Sequence, residues 1–256
     1  MDKPYGYASV SMSGIDRSAG KDLDLEMGVG EATLYPGLSY GENQLRWGFI
    51  RKVYGILSAQ LLLTTLISAV VALNPPVNDL LTGSPGILLF LCIVPFILIW
   101  PLHIYHQKHP VNLILLALFT VSLSFTVGVS CAMTEGRIVL QALILTLSVV
   151  GSLTAYTFWA AKRGHDFNFL GPFLFSAVMV LILFSLIQIF FPLGKISEMI
   201  YGGLASLVFS GYIIYDTDNI IKRYTYDEYV WAAVSLYLDV INLFLALLRV
   251  LRAADN

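Results

Sequence analysis

From residue 53 onward the chain alternates between long apolar runs and short polar breaks. Seven runs are about 20 residues long and nearly free of charge: 53–73, 86–105, 112–133, 138–158, 170–191, 199–221 and 230–248. A helix rises 1.5 Å per residue, so about 20 apolar residues cover the roughly 30 Å of a bilayer's hydrocarbon core. Lipid cannot hydrogen-bond a bare backbone, and a helix satisfies its own. The pattern therefore predicts an all-α, polytopic membrane protein built as a bundle of seven transmembrane helices. The breaks are short, so 46–256 reads as one transmembrane domain without a separate soluble domain. Residues 1–45 show no apolar period and are rich in Gly, Ser, Tyr and acidic residues; they read as a disordered cytosolic tail. No early apolar core marks a cleavable signal peptide, so the run at 53–73 serves as the insertion signal.

Composition agrees with the pattern. Hydrophobic residues make up 57% of the 256, charged residues only 12%, and mean hydropathy is +0.75. Soluble domains carry about twice that share of charge. A net charge of −2 gives no footing for nucleic-acid binding. Cys92 and Cys131 both lie in apolar runs and read as small core residues rather than a disulfide.

Basic residues fix the expected orientation, because they concentrate on cytoplasmic flanks. Arg46, Arg51 and Lys52 precede the first run; Lys108 lies between the second and third, Lys162 and Arg163 between the fourth and fifth, and Lys222 and Arg223 between the last two. The opposite loops carry only Arg137 and Lys195, each with a glutamate nearby. The N-terminus is thus expected in the cytosol. Seven full crossings then put Arg249 and Arg252 on the far side, against the rule; the other solution is a last segment that re-enters. Seven full crossings are expected, since 230–248 is long enough to span.

Two aspartates stand inside the apolar runs: Asp216 in SGYIIYDTDNII and Asp239 in SLYLDVINLFLALL. A carboxylate at membrane depth costs several kcal/mol unless it is paired, protonated or facing water, so each marks a functional site. The midpoint between them is the polar connector at Asp227–Glu228. Antiparallel helices on either side would place both at similar depth, about 17 Å along the helix from the turn. Tyr212, Asp216 and Asn219 share one helix face, and Ser235, Asp239 and Asn242 repeat those offsets. Both stripes are expected to face the bundle interior. If the carboxyls meet, like charge and burial disfavour double ionisation, and the pair shares one proton as a coupled unit. Losing it would drive the groups apart or recruit a cation; calcium prefers such oxygens, which Asp216, Asp239, Asn219 and Asn242 could supply. The bland alternative makes Asp216 interfacial and Asp239 a buried anchor.

The remaining polar positions read more simply. Ser122, Thr126 and Ser130, with Thr120 and Ser124 nearby, are expected to bond within and between helices rather than line a water path. Pro95 and Pro101 in the second run, and Gly171-Pro172 opening the fifth, mark packing irregularities or helix starts. His103, His106 and His109 recur every three residues, which walks around a helix; they form a basic rim rather than a zinc site. Glu135 and Arg137 read as an exposed loop pair.

The segments RKVYGILSAQLLLT (51–64), HPVN (109–112), GYIIYDTDNIIKR (211–223) and YVWAAVSLYLDVINLFLALLRVL (229–251) resemble the Bax inhibitor motif-containing, or Lifeguard, family, over about residues 45–252. The chain looks like a plant member. The resemblance implies a seven-helix protein of the endoplasmic reticulum or another endomembrane (Golgi, vacuole) that suppresses programmed cell death. It also implies a pH-sensitive calcium leak, whose di-aspartyl sensor falls on Asp216 and Asp239. Bacterial relatives lock the closed form with an arginine near the second span; here that region has none, and the role passes to His103 or Lys108. Calcium is then the transported ion, with no resident cofactor, and protons, lipid and regulatory membrane proteins are the partners.

Four other functions compete, of which a seven-helix receptor is disfavoured by the cytosolic N-terminus expected above. An intramembrane aspartyl protease also pairs aspartates on two late helices, but the second aspartate here lies in YLDVIN rather than a GxGD motif and no PAL segment occurs. Rhomboid-type serine chemistry needs GxSG, which Gly128-Val129-Ser130-Cys131 does not provide. The chain is therefore not expected to be an enzyme. The remaining competitor is a non-conducting adaptor that acts through partners, using a tail that carries Tyr5, Tyr7, Tyr35 and Tyr40.

Overall fold

A computed structural model describes residues 33–191 and 194–255. Among them, seven helices are long and apolar enough to cross a membrane. In chain order they are α1 (Tyr40–Leu73), α3 (Pro85–Tyr105), α4 (Val111–Ala132), α5 (Gly136–Lys162), α6 (Leu170–Phe190), α7 (Lys195–Lys222) and α8 (Tyr229–Asp255), with a short α2 (Pro75–Thr82) between the first two.

The last helix occupies the centre. α8 packs on α1, α4, α5 and α7, and it buries Val230, Ala232, Ala233, Val234, Leu236 and Tyr237 within its first three turns. α3 leans mainly on α4, and α6 on α7, so both present most of their apolar surface outward, as lipid-facing helices do. α8 is one unbroken helix of 27 residues, which favours a crossing over a re-entrant hairpin.

Two boundaries differ from the sequence reading. α1 begins at Tyr40, so residues 33–45 are not tail; the rest of the expected tail, 1–32, lies outside the described residues. The cause is a capping box: Ser39 Oγ accepts the Glu42 N–H at 3.4 Å, and Glu42 Oε2 accepts the Ser39 N–H at 3.2 Å. Leu34, 1% exposed, anchors the preceding turn, its N–H donating to Asn43 Oδ1 at 3.1 Å. The expected loop NPPVNDLLTGSPG also contains α2, opened by Pro75 at its first position, where a missing N–H costs nothing. Pro95 and Pro101 lie inside α3, which runs on through both.

Hydroxyls tie the central helices together. Thr64 and Tyr237 Oη are 2.8 Å apart, Ser124 Oγ donates to Thr64 Oγ1 at 3.1 Å, and Gln60 donates to Thr120 at 3.0 Å, joining α1, α4 and α8. Ser122 and Ser130 donate to carbonyls of their own helix, and Thr126 reaches the Leu91 carbonyl of α3. These groups pack, as expected. Glu135 and Arg137 do not pair with each other; Arg137 instead meets Asp255 at 3.3 Å, because the end of α8 returns to the start of α5.

Candidate functional site

The α7–α8 hairpin builds the site. Its connector is a short 3₁₀ turn, Tyr226–Glu228, capped by Thr225: the Thr225 N–H donates to Glu228 Oε2 at 2.8 Å. Basic residues of α1 hold this turn. Arg46 donates to the Tyr224 carbonyl at 2.6 Å and its guanidinium lies 4.9 Å from the Tyr226 ring, while Lys52 Nζ sits 3.1 Å from the Tyr229 ring centroid. Asn112 of the HPVN segment is fully buried and donates to Tyr229 Oη at 3.1 Å, fixing the first turn of α8 from the α4 side.

On this scaffold the carboxyls of Asp216 and Asp239 come within hydrogen-bond reach of each other. Both are buried inside the bundle, 8% and 5% exposed. Asn219 Nδ2 donates to Asp216 Oδ1 at 3.5 Å. Asp239 Oδ2 is buried with no hydrogen-bond partner. Tyr212 lies within electrostatic range of both carboxyls. The second stripe spreads out along α8: Ser235 is 3.4 Å from Tyr224 Oη, and Asn242 donates to its own helix at the Leu238 carbonyl and lines a cavity nearer the far end. Among the described residues no group of three or more His, Cys, Asp or Glu is placed to hold a metal ion. A cation at the pair would rest on two carboxyls and neighbouring amide or carbonyl oxygens.

The expected basic lock is not at this site. His103 packs edge-on against Trp231 at 4.7 Å and stacks on His106, and Lys108 lies over Tyr105. Trp231 is eight residues before Asp239, about 12 Å along α8. The basic side chain that does connect to the pair is Arg223, whose Nη1 donates to Asn219 Oδ1 at 2.8 Å. It also binds Asp218 Oδ2 at 2.9 Å and pairs with Asp166 of the α5–α6 loop. Asp218 is fully buried; Lys222 pairs with it too, and the Phe167 N–H donates to it at 3.3 Å. The Asp166 carboxyl is held below its ordinary range, first by the Asn168 N–H and then by Arg223. Burial pushes the Tyr224 phenol up, and the Asp216 charge adds to it. Arg223 was legible in principle: it extends the Tyr212, Asp216, Asn219 stripe by one more turn.

Fold and site together define a polytopic membrane protein with a buried carboxyl pair at the centre of a seven-helix bundle. The comparison with known proteins narrows that class. The family model described as "Inhibitor of apoptosis-promoting Bax1" matches residues 46–256. The chain belongs to this Bax inhibitor family. It is 85% identical over 256 residues to the BI1-like protein of Arabidopsis thaliana, covering 100% of both chains. It is 61% identical over 237 residues to Protein LIFEGUARD 4 of the same plant, covering 91% of this chain and 96% of the relative. It is 40% identical over 212 residues to the Golgi anti-apoptotic protein of vaccinia virus, covering 83% and 88%.

Proposed function

We propose that this protein suppresses programmed cell death from an endomembrane, with its N-terminus in the cytosol, by acting as a pH-sensitive calcium leak gated by Asp216 and Asp239. The observation that carries the gate is Asp239: a buried carboxyl with one unpartnered oxygen, set against a second buried carboxyl. Two carboxylates in contact and away from water repel, so a shared proton removes one charge and supplies the bond between α7 and α8. Gaining or losing that proton changes both the charge of the site and the tie between the helices. A deprotonated pair suits calcium, a hard cation that takes oxygen ligands. Calcium usually takes six to eight oxygens, far more than two carboxyls supply, so the pair favours passage over storage. The death-suppressing role rests on the family and on relatives such as the Golgi anti-apoptotic protein of vaccinia virus, whose name also supports an endomembrane location. The cytosolic N-terminus rests on the basic flanks, of which Arg46, Lys52, Lys222 and Arg223 gather at one end of the bundle.

The test is calcium efflux from liposomes holding the purified protein, measured against pH. Efflux should depend on pH, and Asp239→Asn should flatten the profile. An Asp239→Asn profile identical to the wild type rejects the pair as sensor. No efflux at any pH rejects the leak and favours an adaptor that works through protein partners without conducting.

A further inference from the structure

At the end of the bundle away from the α7–α8 turn, α4, α7 and α8 part around a cavity of about 360 Å³. The aspartate pair makes no use of it. Its volume falls in the range of ligand pockets, about 300–1,000 Å³. The charged groups of its lining are Arg249 and Arg252, from the last two turns of α8, and no carboxylate lines it. These are the two residues whose placement runs against the cytoplasmic bias of basic side chains.

Arg249 is half-buried, and its guanidinium lies 4.7 Å from the centroid of the Tyr201 ring. That contact sets the cation over the ring and engages none of its N–H donors in an ion pair. Among the described residues no acid pairs with Arg249, and Asp255 at the same end is taken by Arg137. The polar groups beside it donate elsewhere: Thr134 Oγ1 to the Ser130 carbonyl and Asn242 Nδ2 to the Leu238 carbonyl. The strong donor left in the cavity is thus the Arg249 guanidinium, which matches an oxygen-rich anion and binds phosphate in a two-pronged fork. The other wall is apolar, formed by Met133, Phe209 and Leu245. An arginine near a helix C-terminus also gains about 0.3–1 kcal/mol from the helix dipole, but that needs no cavity.

We propose that this cavity binds the phosphate of an anionic phospholipid, held by Arg249 with Arg252 adding positive charge beside it, and with the lipid's apolar part against the Met133–Phe209 wall. Basic pockets between transmembrane helices on the matrix or cytoplasmic side take anionic head groups by this chemistry, and the same chemistry is presented here at the opposite end of the bundle. The site lies at a helix end, where head groups lie, and its wall divides into cationic and apolar parts as such a lipid does. A free phosphate shares the anionic chemistry but has no use for the apolar wall.

Native mass spectrometry of the intact protein in detergent, with phosphatidylglycerol or phosphatidylcholine added, tests this directly. The wild type should retain phosphatidylglycerol at least about tenfold better than phosphatidylcholine, whose choline cation offsets the phosphate charge and is repelled by the arginines. Arg249→Gln with Arg252→Gln should lose that preference, Arg249→Lys should keep part of it, and Arg163→Gln, at the other end of the bundle, should keep it all. Circular dichroism shows whether each variant remains folded, and the Lys variant carries the test if the double Gln variant does not. Equal retention of both lipids by the wild type, or an unchanged preference in the Arg249 variants, overturns the proposal. Displacement of the lipid by millimolar inorganic phosphate assigns the site to free phosphate and overturns the lipid.

Discussion

Asp216 and Asp239 meet although they stand at unequal distances from the ends of their helices. Asp216 lies six residues before the end of α7, about 9 Å, whereas Asp239 lies ten residues into α8, about 15 Å. The 3₁₀ turn at Tyr226–Glu228 makes up the difference by starting α8 about one helical turn beyond the end of α7. The turn is asymmetric, and that asymmetry brings the carboxyls level.

The two aspartates differ in what they need, so their substitutions separate protonation from packing. Asp239→Asn supplies an amide that donates to Asp216 and should leave thermal stability close to the wild type. Asp239→Ala leaves Asp216 buried beside a gap and should cost about 1–3 kcal/mol. Unfolding of purified protein in detergent measures both, and a larger loss for Asn than for Ala would contradict this account.

At the loop end of α7, Asp218 is fully buried between Lys222 and Arg223. Removing one partner of a buried pair strands the other charges, so Asp218→Ala should destabilise by about 3 kcal/mol. That is the low end for such pairs, because the Arg223 side chain keeps 32% exposure. Chemical denaturation with a tryptophan fluorescence readout would show it, with little relief from added salt.

The clasp between Asp166 and Arg223 should open in acid. The Asp166 carboxyl is held below its ordinary range, so its contribution is present above the usual carboxylate pKa and is lost as pH falls through the lowered one. Its side chain is 58% exposed, so the effect is local and small. Protection of the Asn168 amide, which donates to Asp166, should fall below about pH 4 in the wild type, read as hydrogen exchange relative to the unstructured rate at the same pH. In Asp166→Asn exchange should already be fast at neutral pH.

Gly202 marks a close approach of α7 to α8. A Cβ there would fall 2.6 Å from Val250 Cγ2 and 3.0 Å from the Ala246 carbonyl. Gly202→Ala should therefore cost about 1–3 kcal/mol despite the better helix propensity of alanine. Gly203, with open space at its Cβ, should accept alanine without loss in the same unfolding assay.

The sequence by itself determined that the chain crosses a membrane seven times as helices, because apolar run length and the backbone's need for hydrogen bonds allow little else. It also singled out Asp216 and Asp239, since charge in an apolar run has a cost that can be read one residue at a time. Only the tertiary structure decided which groups surround them. Asn219 reaches Asp216 along α7 and Arg223 in turn reaches Asn219, whereas His103 and Lys108 are taken up by Trp231 and Tyr105. Pairing between helices depends on rotation and axial offset, which a periodic pattern leaves open, and here a three-residue turn sets the offset. The start of α1 escaped the hydrophobic pattern because Ser39 and Glu42 fix it through local hydrogen bonds in polar sequence. The place of α8 at the centre was likewise settled by packing: its small and aromatic residues fit among four neighbouring helices, a choice that hydropathy alone does not make.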